Sequence, residues 1–153
     1  CQANPNLHLT CVDPYFAYGG VNQEKQDINR ERAVESLEPY NVTMVRKTSM
    51  EALADFDNES LDFVFIDGAH DYDNACVDLI FWAYKVRLGG IISLHDWMAG
   101  HGAGVMQAIN GYTHCHSINP WYVTREKEAT AFWVKRRKTR YVTFVSPDGK
   151  KLP

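Results

Sequence analysis

Apolar positions along the chain fall into short continuous runs separated by longer segments in which apolar residues recur at helical spacing. The runs have the length and β-branched or aromatic content of strands, and they cover Leu7–Val12, Val42–Val45, Leu61–Ile66, Ile91–Leu94, Tyr112–Ile118 and Thr130–Val134. The segments with helical spacing are Asn22–Leu37, Ser49–Phe56, Tyr72–Leu88 and Val105–Ile109. Strands that alternate with helices predict an α/β fold, doubly wound around a mostly parallel sheet.

Details of this pattern predict how the sheet is covered. Only Asp62 interrupts the apolar run Leu61–Ile66, which is typical of a strand buried on both faces. Gly89 and Gly90 are expected to end the helix that begins at Tyr72. Little helix separates the last two strands, so we expect them to pair antiparallel at one edge. Arg140–Val145 could add a further edge strand or belong to a tail.

Polar residues capable of chemistry follow two of the predicted strands. Asp67 ends one strand with His70 just beyond it, and His95-Asp96 ends the next. The carboxyl ends of parallel strands form the ligand crevice of an open α/β sheet. We therefore expect these four side chains to converge on one site, which favours an enzyme. The same argument places Val12, Ile66 and Leu94 at neighbouring strand ends of a single sheet.

The bulk composition narrows the class of protein. The chain has 153 residues, 45% of them hydrophobic, and a net charge of −3. We assign residues 1–145 to one domain and 146–153 to a tail. The charge gives no general attraction to nucleic acid or to an anionic membrane. No apolar run approaches the length of a membrane span, and the opening residues do not form a signal peptide, so we expect a cytoplasmic protein.

Two further features, the cysteines and a basic run, are interpreted as structural or surface features and not as functional sites. The four cysteines form no C-x-x-C pair and are interpreted as small hydrophobic residues of a reducing compartment. The basic run of Lys135, Arg136, Arg137, Lys138 and Arg140 is interpreted as a solvated face or tail, with a binding patch as the alternative.

The text IDGAHDY…DLIFW…LGGIISLHDW, within Leu61–Trp97, resembles the Rossmann-like S-adenosylmethionine-dependent methyltransferases. It is similar in particular to the macrocin and rhamnosyl O-methyltransferase subgroup, and the resemblance extends from Leu7 to Val134. It implies an O-methyltransferase that uses S-adenosylmethionine to modify a hydroxyl of a small molecule or sugar. The alternative is a non-catalytic module that keeps the fold for nucleotide binding or interaction.

The resemblance also implies roles for individual residues in holding the cofactor. Asp13 matches the acidic residue that binds the ribose hydroxyls, and a carboxylate can accept both of their protons. Ser49 and Met50 match the adenine contacts, and Asp67 matches a carboxylate at the methionine end. The alternatives are a turn-forming Asp13 before a proline and Ser49 as a helix N-cap.

For catalysis, His70 matches the histidine proposed as the general base, a role that its titration range suits. Its alternative is a loop histidine that caps the following helix. Asp67, His95 and Asp96 match the divalent-metal site of the metal-dependent members. His95 stands where several of them have glutamate, which shifts the preference from Mg²⁺ toward softer ions.

One part of the family pattern is not found before Asp13, namely the first strand and its glycine-rich loop. In the family this strand lies between the strands that precede Asp13 and Asp67. We therefore expect those two strands to pair directly, to pair with another chain in a homo-oligomer, or to leave exposed edges. The non-Met start and Cys1 suggest a fragment, and the chain alone is expected to be inactive if the loop is missing.

Overall fold

The computed structural model describes residues 4, 6–98, 100 and 103–138. The chain divides into two compact units, Cys1–Phe56 and Asp57–Pro153. The predicted strand Arg140–Val145 and the predicted tail lie outside the described residues. No helix in the described ranges is both long and apolar enough to cross a membrane.

The first unit is a β-α-β arrangement followed by a short helical segment. Its elements are β1 (Leu9–Val12), α1 (Gln23–Leu37), β2 (Val42–Val45), α2 (Ser49–Ala52) and a 3₁₀ turn at Leu53–Asp55. β1 and β2 are parallel, with Leu9 opposite Val42 and Val12 opposite Val45. α1 is a surface helix, as predicted, and Gln26 is its only buried residue.

The second unit carries the larger sheet. Its elements are β3 (Leu61–Ile66), α3 (Tyr72–Lys85), β4 (Val86–Leu94), α4 (Ala103–Cys115), β5 (Tyr122–Val123) and β6 (Ala131–Val134). The strand order is β3-β4-β6-β5. β3 and β4 are parallel, whereas β6 is antiparallel to both of its neighbours. An antiparallel pair does lie at this edge, but it joins β6 to β5 and not to the predicted strand Tyr112–Ile118.

Side chains from α3, α4, β4 and β6 form the hydrophobic core of this unit. The largest fully buried side chains are Leu79, Val86, Ile92, Leu94, Ile109 and Trp133. β3 lies at the sheet edge, and its Phe63 and Phe65 remain 45% and 47% exposed. The prediction that this strand is buried on both faces is therefore wrong, because its alternate residues turn away from the core.

The boundary between α3 and β4 differs from the prediction. α3 ends at Lys85, and Gly89-Gly90 lie inside β4 rather than after a helix. Leu61 pairs with Val86 but Phe63 pairs with Ile91, so β4 has extra residues at this point. A Cβ on Gly90 would lie 2.6 Å from Val86 Cγ1 and 2.8 Å from the Asp62 carbonyl oxygen. Glycine is needed there because the backbone of the bulge leaves no room.

Lys135, the residue directly after β6, stabilises the end of α3. Lys135 is buried, and its Nζ donates to the carbonyl oxygens of Ala83 and Val86 at 2.9 and 2.7 Å. The last carbonyls of a helix lack partners within it, and a lysine can satisfy them. Lys135 thereby joins the last described strand to the α3–β4 junction.

The predicted strand Tyr112–Ile118 is wrong, since α4 continues through Cys115. The helix is also longer than the predicted Val105–Ile109. Thr113 Oγ1 donates to the Ile109 carbonyl at 2.8 Å, and the Tyr112 ring lies 6.0 Å from that of Trp133. These contacts let residues of high β-propensity finish a helix, because packing overrides a weak propensity.

The expectation that Val12, Ile66 and Leu94 share one sheet is also wrong. Ile66 and Leu94 are paired, but Val12 belongs to the separate two-stranded sheet. Direct pairing of β1 with β3 does not occur. Among the described residues, no strand pairs with both sheets.

Candidate functional site

The candidate site forms where β3 and β4 end side by side. Ile66 is the register partner of Leu94, so Asp67 and His95 leave the sheet together. The backbone N–H of His95 donates to the Ile66 carbonyl at 2.9 Å, which extends the ladder by one bond. The structure brings Asp67, His70, His95 and Asp96 together at this edge, as the strand-end argument predicts.

Asp96 is the centre of the group. Its Oδ2 lies 2.8 Å from His70 Nε2 and 3.2 Å from His95 Nδ1. His95 Nδ1 lies in turn 3.5 Å from Asp67 Oδ1. The Asp96 side chain is only 9% exposed, whereas that of Asp67 is 51% exposed. A carboxylate oxygen has two lone pairs, so Asp96 can accept from both imidazoles at once.

The loop that carries His70 is anchored by its neighbour Asp71. Asp71 is the N-cap of α3 and accepts from the Asn74 backbone N–H at 3.0 Å and from its side-chain amide at 2.8 Å. These hydrogen bonds hold the pKa of Asp71 below its ordinary value. The capping residue is therefore Asp71 rather than His70, which leaves the His70 imidazole facing Asp96.

α4 approaches the same loop closely at Gly104. A Cβ at this position would touch the His70 carbonyl oxygen and lie 2.6 Å from the Tyr72 nitrogen. The helix predicted from the sequence begins only at Val105, so the pattern does not assign Gly104 this role. The available signal was a glycine next to a segment with helical spacing, which marks a close approach as well as a turn.

Asp96 has a left-handed backbone, with φ of +59°. Aspartate enters this region more readily than most residues with a Cβ. The following residues hold the turn: Trp97 N–H donates to the Ala129 carbonyl at 2.8 Å, and the Trp97 ring packs edge-on against Trp121 at 4.9 Å. The Asp96 carboxylate is thus aimed by a conformation that the apolar pattern does not reveal.

The donor set fits a divalent cation. One ligand atom from each of Asp67, His95 and Asp96 lies within 4.8 Å of the others. In an octahedral site with bonds of about 2.1 Å, adjacent ligand atoms are about 3.0 Å apart, close to the 3.2 and 3.5 Å contacts of His95. The adjoining cavity of about 10 Å³ has room for one water-sized species. Two carboxylates and one imidazole can hold such an ion.

Asp13 follows β1 and shapes the loop that comes next. Its Oδ1 accepts from the Tyr15 backbone N–H at 2.6 Å, and its own N–H donates to the Val45 carbonyl. Asp13 therefore does form the turn that was the alternative to ribose binding. Its second carboxylate oxygen is still compatible with the ribose role, which stays a prediction.

Ser49 and Met50 follow β2, at the same end of the small sheet as Asp13. The N-cap of α2 is Thr48, not Ser49: Thr48 Oγ1 accepts from the Glu51 N–H, and Glu51 Oε2 accepts from the Thr48 N–H. The Thr48 backbone N–H and hydroxyl both donate to Glu51 Oε2, and these two bonds lower the pKa of the Glu51 carboxyl. Ser49 is the first helical residue, and the Met50 side chain is 38% exposed. Their adenine role stays a prediction.

Solved structures share the fold of the chain. The O-methyltransferase NovP aligns with a TM-score of 0.60 and 16% identity over 89% of this chain and 63% of NovP. CalS11, a TDP-rhamnose 3'-O-methyltransferase of calicheamicin biosynthesis, aligns at 0.58 and 14% identity over 86% and 60%. RsmC, a T. thermophilus 16S rRNA methyltransferase solved with AdoMet and guanosine, aligns at 0.53 and 15% identity over 93% and 38%.

These likenesses establish a methyltransferase-type, Rossmann-like α/β fold and no more, because all three identities are low. The chain spans less than two thirds of each of the three proteins. No curated protein matches its sequence significantly. The family described as "Methyltransferase domain" matches residues 1–97, which include the acidic strand ends and His70. The chain therefore belongs to this methyltransferase-domain family, whose chemistry implies S-adenosylmethionine as the methyl donor.

Proposed function

We propose that the chain is part of an S-adenosylmethionine-dependent O-methyltransferase that modifies a hydroxyl of a small molecule or sugar. The observation that carries the proposal is the 2.8 Å contact between His70 Nε2 and Asp96 Oδ2 at the strand ends. An imidazole oriented by a buried carboxylate is suited to take a proton from an acceptor hydroxyl. Membership of the family and the O-methyltransferase activity of two structural neighbours support it.

In this mechanism His70 is the general base. With Nε2–H donated to Asp96, Nδ1 is the nitrogen that takes the hydroxyl proton as the oxygen attacks the methyl group. Asp96 then stabilises the imidazolium that forms, and it holds the ring in one tautomer. S-adenosylmethionine, when bound, would supply an activated methyl group on a sulfonium sulfur.

Asp67, His95 and Asp96 would hold a divalent ion in the same site. An ion there would lower the pKa of a hydroxyl bound to it. Because one donor is an imidazole, we expect a softer ion than Mg²⁺ to be preferred.

We propose cofactor-binding residues in each of the two units. In the first unit, Asp13 would bind the ribose hydroxyls, and Ser49 and Met50 would contact adenine. In the second, Asp67 would lie at the methionine end. Support comes from their positions after the carboxyl ends of β1, β2 and β3, where ligands bind in open α/β sheets.

The acceptor, the compartment and the assembly are further parts of the proposal. A net charge of −3 favours a small-molecule acceptor over a nucleic acid, although one structural neighbour is an rRNA methyltransferase. We propose a cytoplasmic protein. The β3 edge is open within the described residues, so a homo-oligomer could form through it.

The test uses the full-length natural protein in parallel with the 153-residue chain. Calorimetry measures S-adenosylmethionine binding, and transfer of labelled methyl is followed to a panel of sugar and phenolic hydroxyls. His70→Gln should reduce transfer about 10²–10⁴-fold, while His114→Gln, an exposed histidine of α4, should not. Cofactor binding without transfer to any acceptor would favour the non-catalytic module. Absence of binding in both proteins would contradict the proposal.

A further inference from the structure

A second cavity lies at the other end of the larger sheet, with a volume of about 530 Å³. It opens between the end of α4 and the residues that follow β6. Side chains from these two segments form its wall, among them His116, Ile118, Pro120, Trp133, Arg136 and Arg137. Its volume lies within the roughly 300–1,000 Å³ of pockets that bind small molecules.

The topology separates this cavity from the candidate active site. β6 is antiparallel to β4, with Ala131 opposite Leu94 and Val134 opposite Ile91. The residues after Val134 therefore emerge at the end of the sheet opposite to His95. α4 spans the same distance: its start touches the His70 loop, and its 13 residues place its end about 20 Å away.

The charge on the wall of this cavity is positive and largely unneutralised. Of the basic run, Lys135 is committed to the end of α3, and Lys138 lies 3.9 Å from Glu59. Arg136 and Arg137 are exposed and have no ion-pair partner within the described part of the chain. No Asp or Glu is found among the described residues that line the cavity. An anionic ligand would therefore meet two guanidinium groups without competition.

Beside these charges and the polar Ser117 and Asn119, part of the wall is apolar or aromatic. Ile118 and Pro120 contribute carbon surface, and the His116 ring lies tilted against Tyr112 with centroids 4.2 Å apart. Paired arginines bind phosphate oxygens through bidentate hydrogen bonds. Flat apolar surface beside them suits a ring joined to the phosphate.

We propose that this cavity binds a phosphorylated small molecule that carries an aromatic or other apolar ring. The phosphate would lie against Arg136 and Arg137, and the ring against His116, Ile118 and Pro120. This gives the basic run a binding role, in place of its interpretation as a solvated face. The proposal does not depend on the methyltransferase activity of the other end of the sheet.

The test is an NMR titration of the full chain with 1-naphthyl phosphate, 1-naphthol and inorganic phosphate. We expect the phosphate ester to bind most tightly and to shift amide signals of residues 116–118 and 133–137. Shifts confined to the β3 and β4 strand ends would overturn the proposal, as would absence of binding. Equal affinity for naphthol would overturn the arginine role, and equal affinity for inorganic phosphate would overturn the apolar one.

Matched variants separate the specific contacts from general charge. Arg136→Gln with Arg137→Gln should weaken the ester about tenfold or more. Arg125→Gln with Lys127→Gln removes the same charge at exposed positions outside the cavity lining and should leave binding unchanged. Equal losses in the two double variants would show non-specific attraction and refute the site. Circular dichroism confirms that both variants are folded.

Discussion

His70 Nε2 and Asp96 Oδ2 lie 2.8 Å apart, although the two residues follow different strands of the sheet. The contact exists because β3 and β4 are parallel neighbours that end in register. It couples the orientation of an imidazole to a carboxylate that is only 9% exposed. A change at Asp96 therefore tests whether this carboxylate orients His70.

Asp96→Asn should reduce methyl transfer by about 10²–10⁴-fold. Asparagine has nearly the same shape and tolerates the left-handed backbone, but it cannot stabilise an imidazolium by charge. The measurement is kcat of the full-length protein with saturating cofactor. Asp62→Asn, at an exposed carboxylate that pairs with Arg87, is the matched control. Unchanged kcat in Asp96→Asn would contradict the orienting role.

A divalent ion should bind to the site, with Mn²⁺ as the probe in paramagnetic resonance. Asp67→Asn removes one charged oxygen ligand and should weaken binding by at least about tenfold. Asp73→Asn changes the same charge in the first turn of α3, away from the donor set, and should have little effect. Full methyl transfer in the presence of chelator would exclude a role for the ion in catalysis.

Gly104→Ala should destabilise the second unit by about 1–3 kcal/mol, because a methyl group there collides with the His70–Tyr72 backbone. Thermal unfolding measures the loss, and methyl transfer should fall with it as the His70 loop shifts. Gly111→Ala is the control on the same helix, where a Cβ would meet nothing within 4 Å. It should stabilise the helix by up to about 1 kcal/mol. Similar effects of the two changes would refute the close approach.

Lys135→Met should destabilise the chain by about 1–3 kcal/mol, because two buried carbonyl groups at the end of α3 lose their donor. Methionine keeps most of the apolar stem, so the loss reports the ammonium group. Lys138→Met, at a side chain 74% exposed, should change stability little. Urea unfolding compares the two variants, and equal midpoints would argue against the Lys135 contacts.

Asp71 predicts a pH dependence of stability. Its pKa in the folded chain is lowered from 3.8 by the hydrogen bonds from Asn74, so the unfolded chain binds more protons in that range. The stabilisation is therefore complete above pH 3.8 and is lost as pH falls through the lower, folded-state value. Asp71→Asn retains a capping oxygen without the charge. Its melting temperature should lie below that of the parent chain at pH 7, and the difference should shrink in acid. A constant difference would contradict the assignment.

The sequence predicts well what depends on periodicity and on strand-end topology. β2 and β3 have the predicted bounds, and α1 differs by one residue at its start. Asp67 and His95 meet because each directly follows an apolar run that forms a strand. These features need only local pattern and the rule that parallel strands present their carboxyl ends together.

The hydrophobic pattern of the sequence does not predict features that depend on tertiary packing. Tyr112–Cys115 has strand-like composition but ends α4, because Tyr112 packs near Trp133 and Thr113 bonds within the helix. The bulge at Gly90 and the close approach at Gly104 are set by backbone from other elements. The sharing of one Asp96 oxygen by two imidazoles is likewise a matter of three-dimensional register.

The positive φ of Asp96 bears on how an alignment of relatives should be interpreted. Aspartate, asparagine and glycine are the residues that accept a left-handed backbone at small cost, whatever chemistry takes place nearby. A descendant that had lost catalysis would still be selected to keep one of them, since a β-branched replacement would strain the turn before Trp97. The presence of aspartate at this position in a relative is therefore weak evidence that the relative is active. The imidazole of His70 carries no such backbone constraint, so its presence or loss across relatives is the better record of which branches still transfer methyl groups.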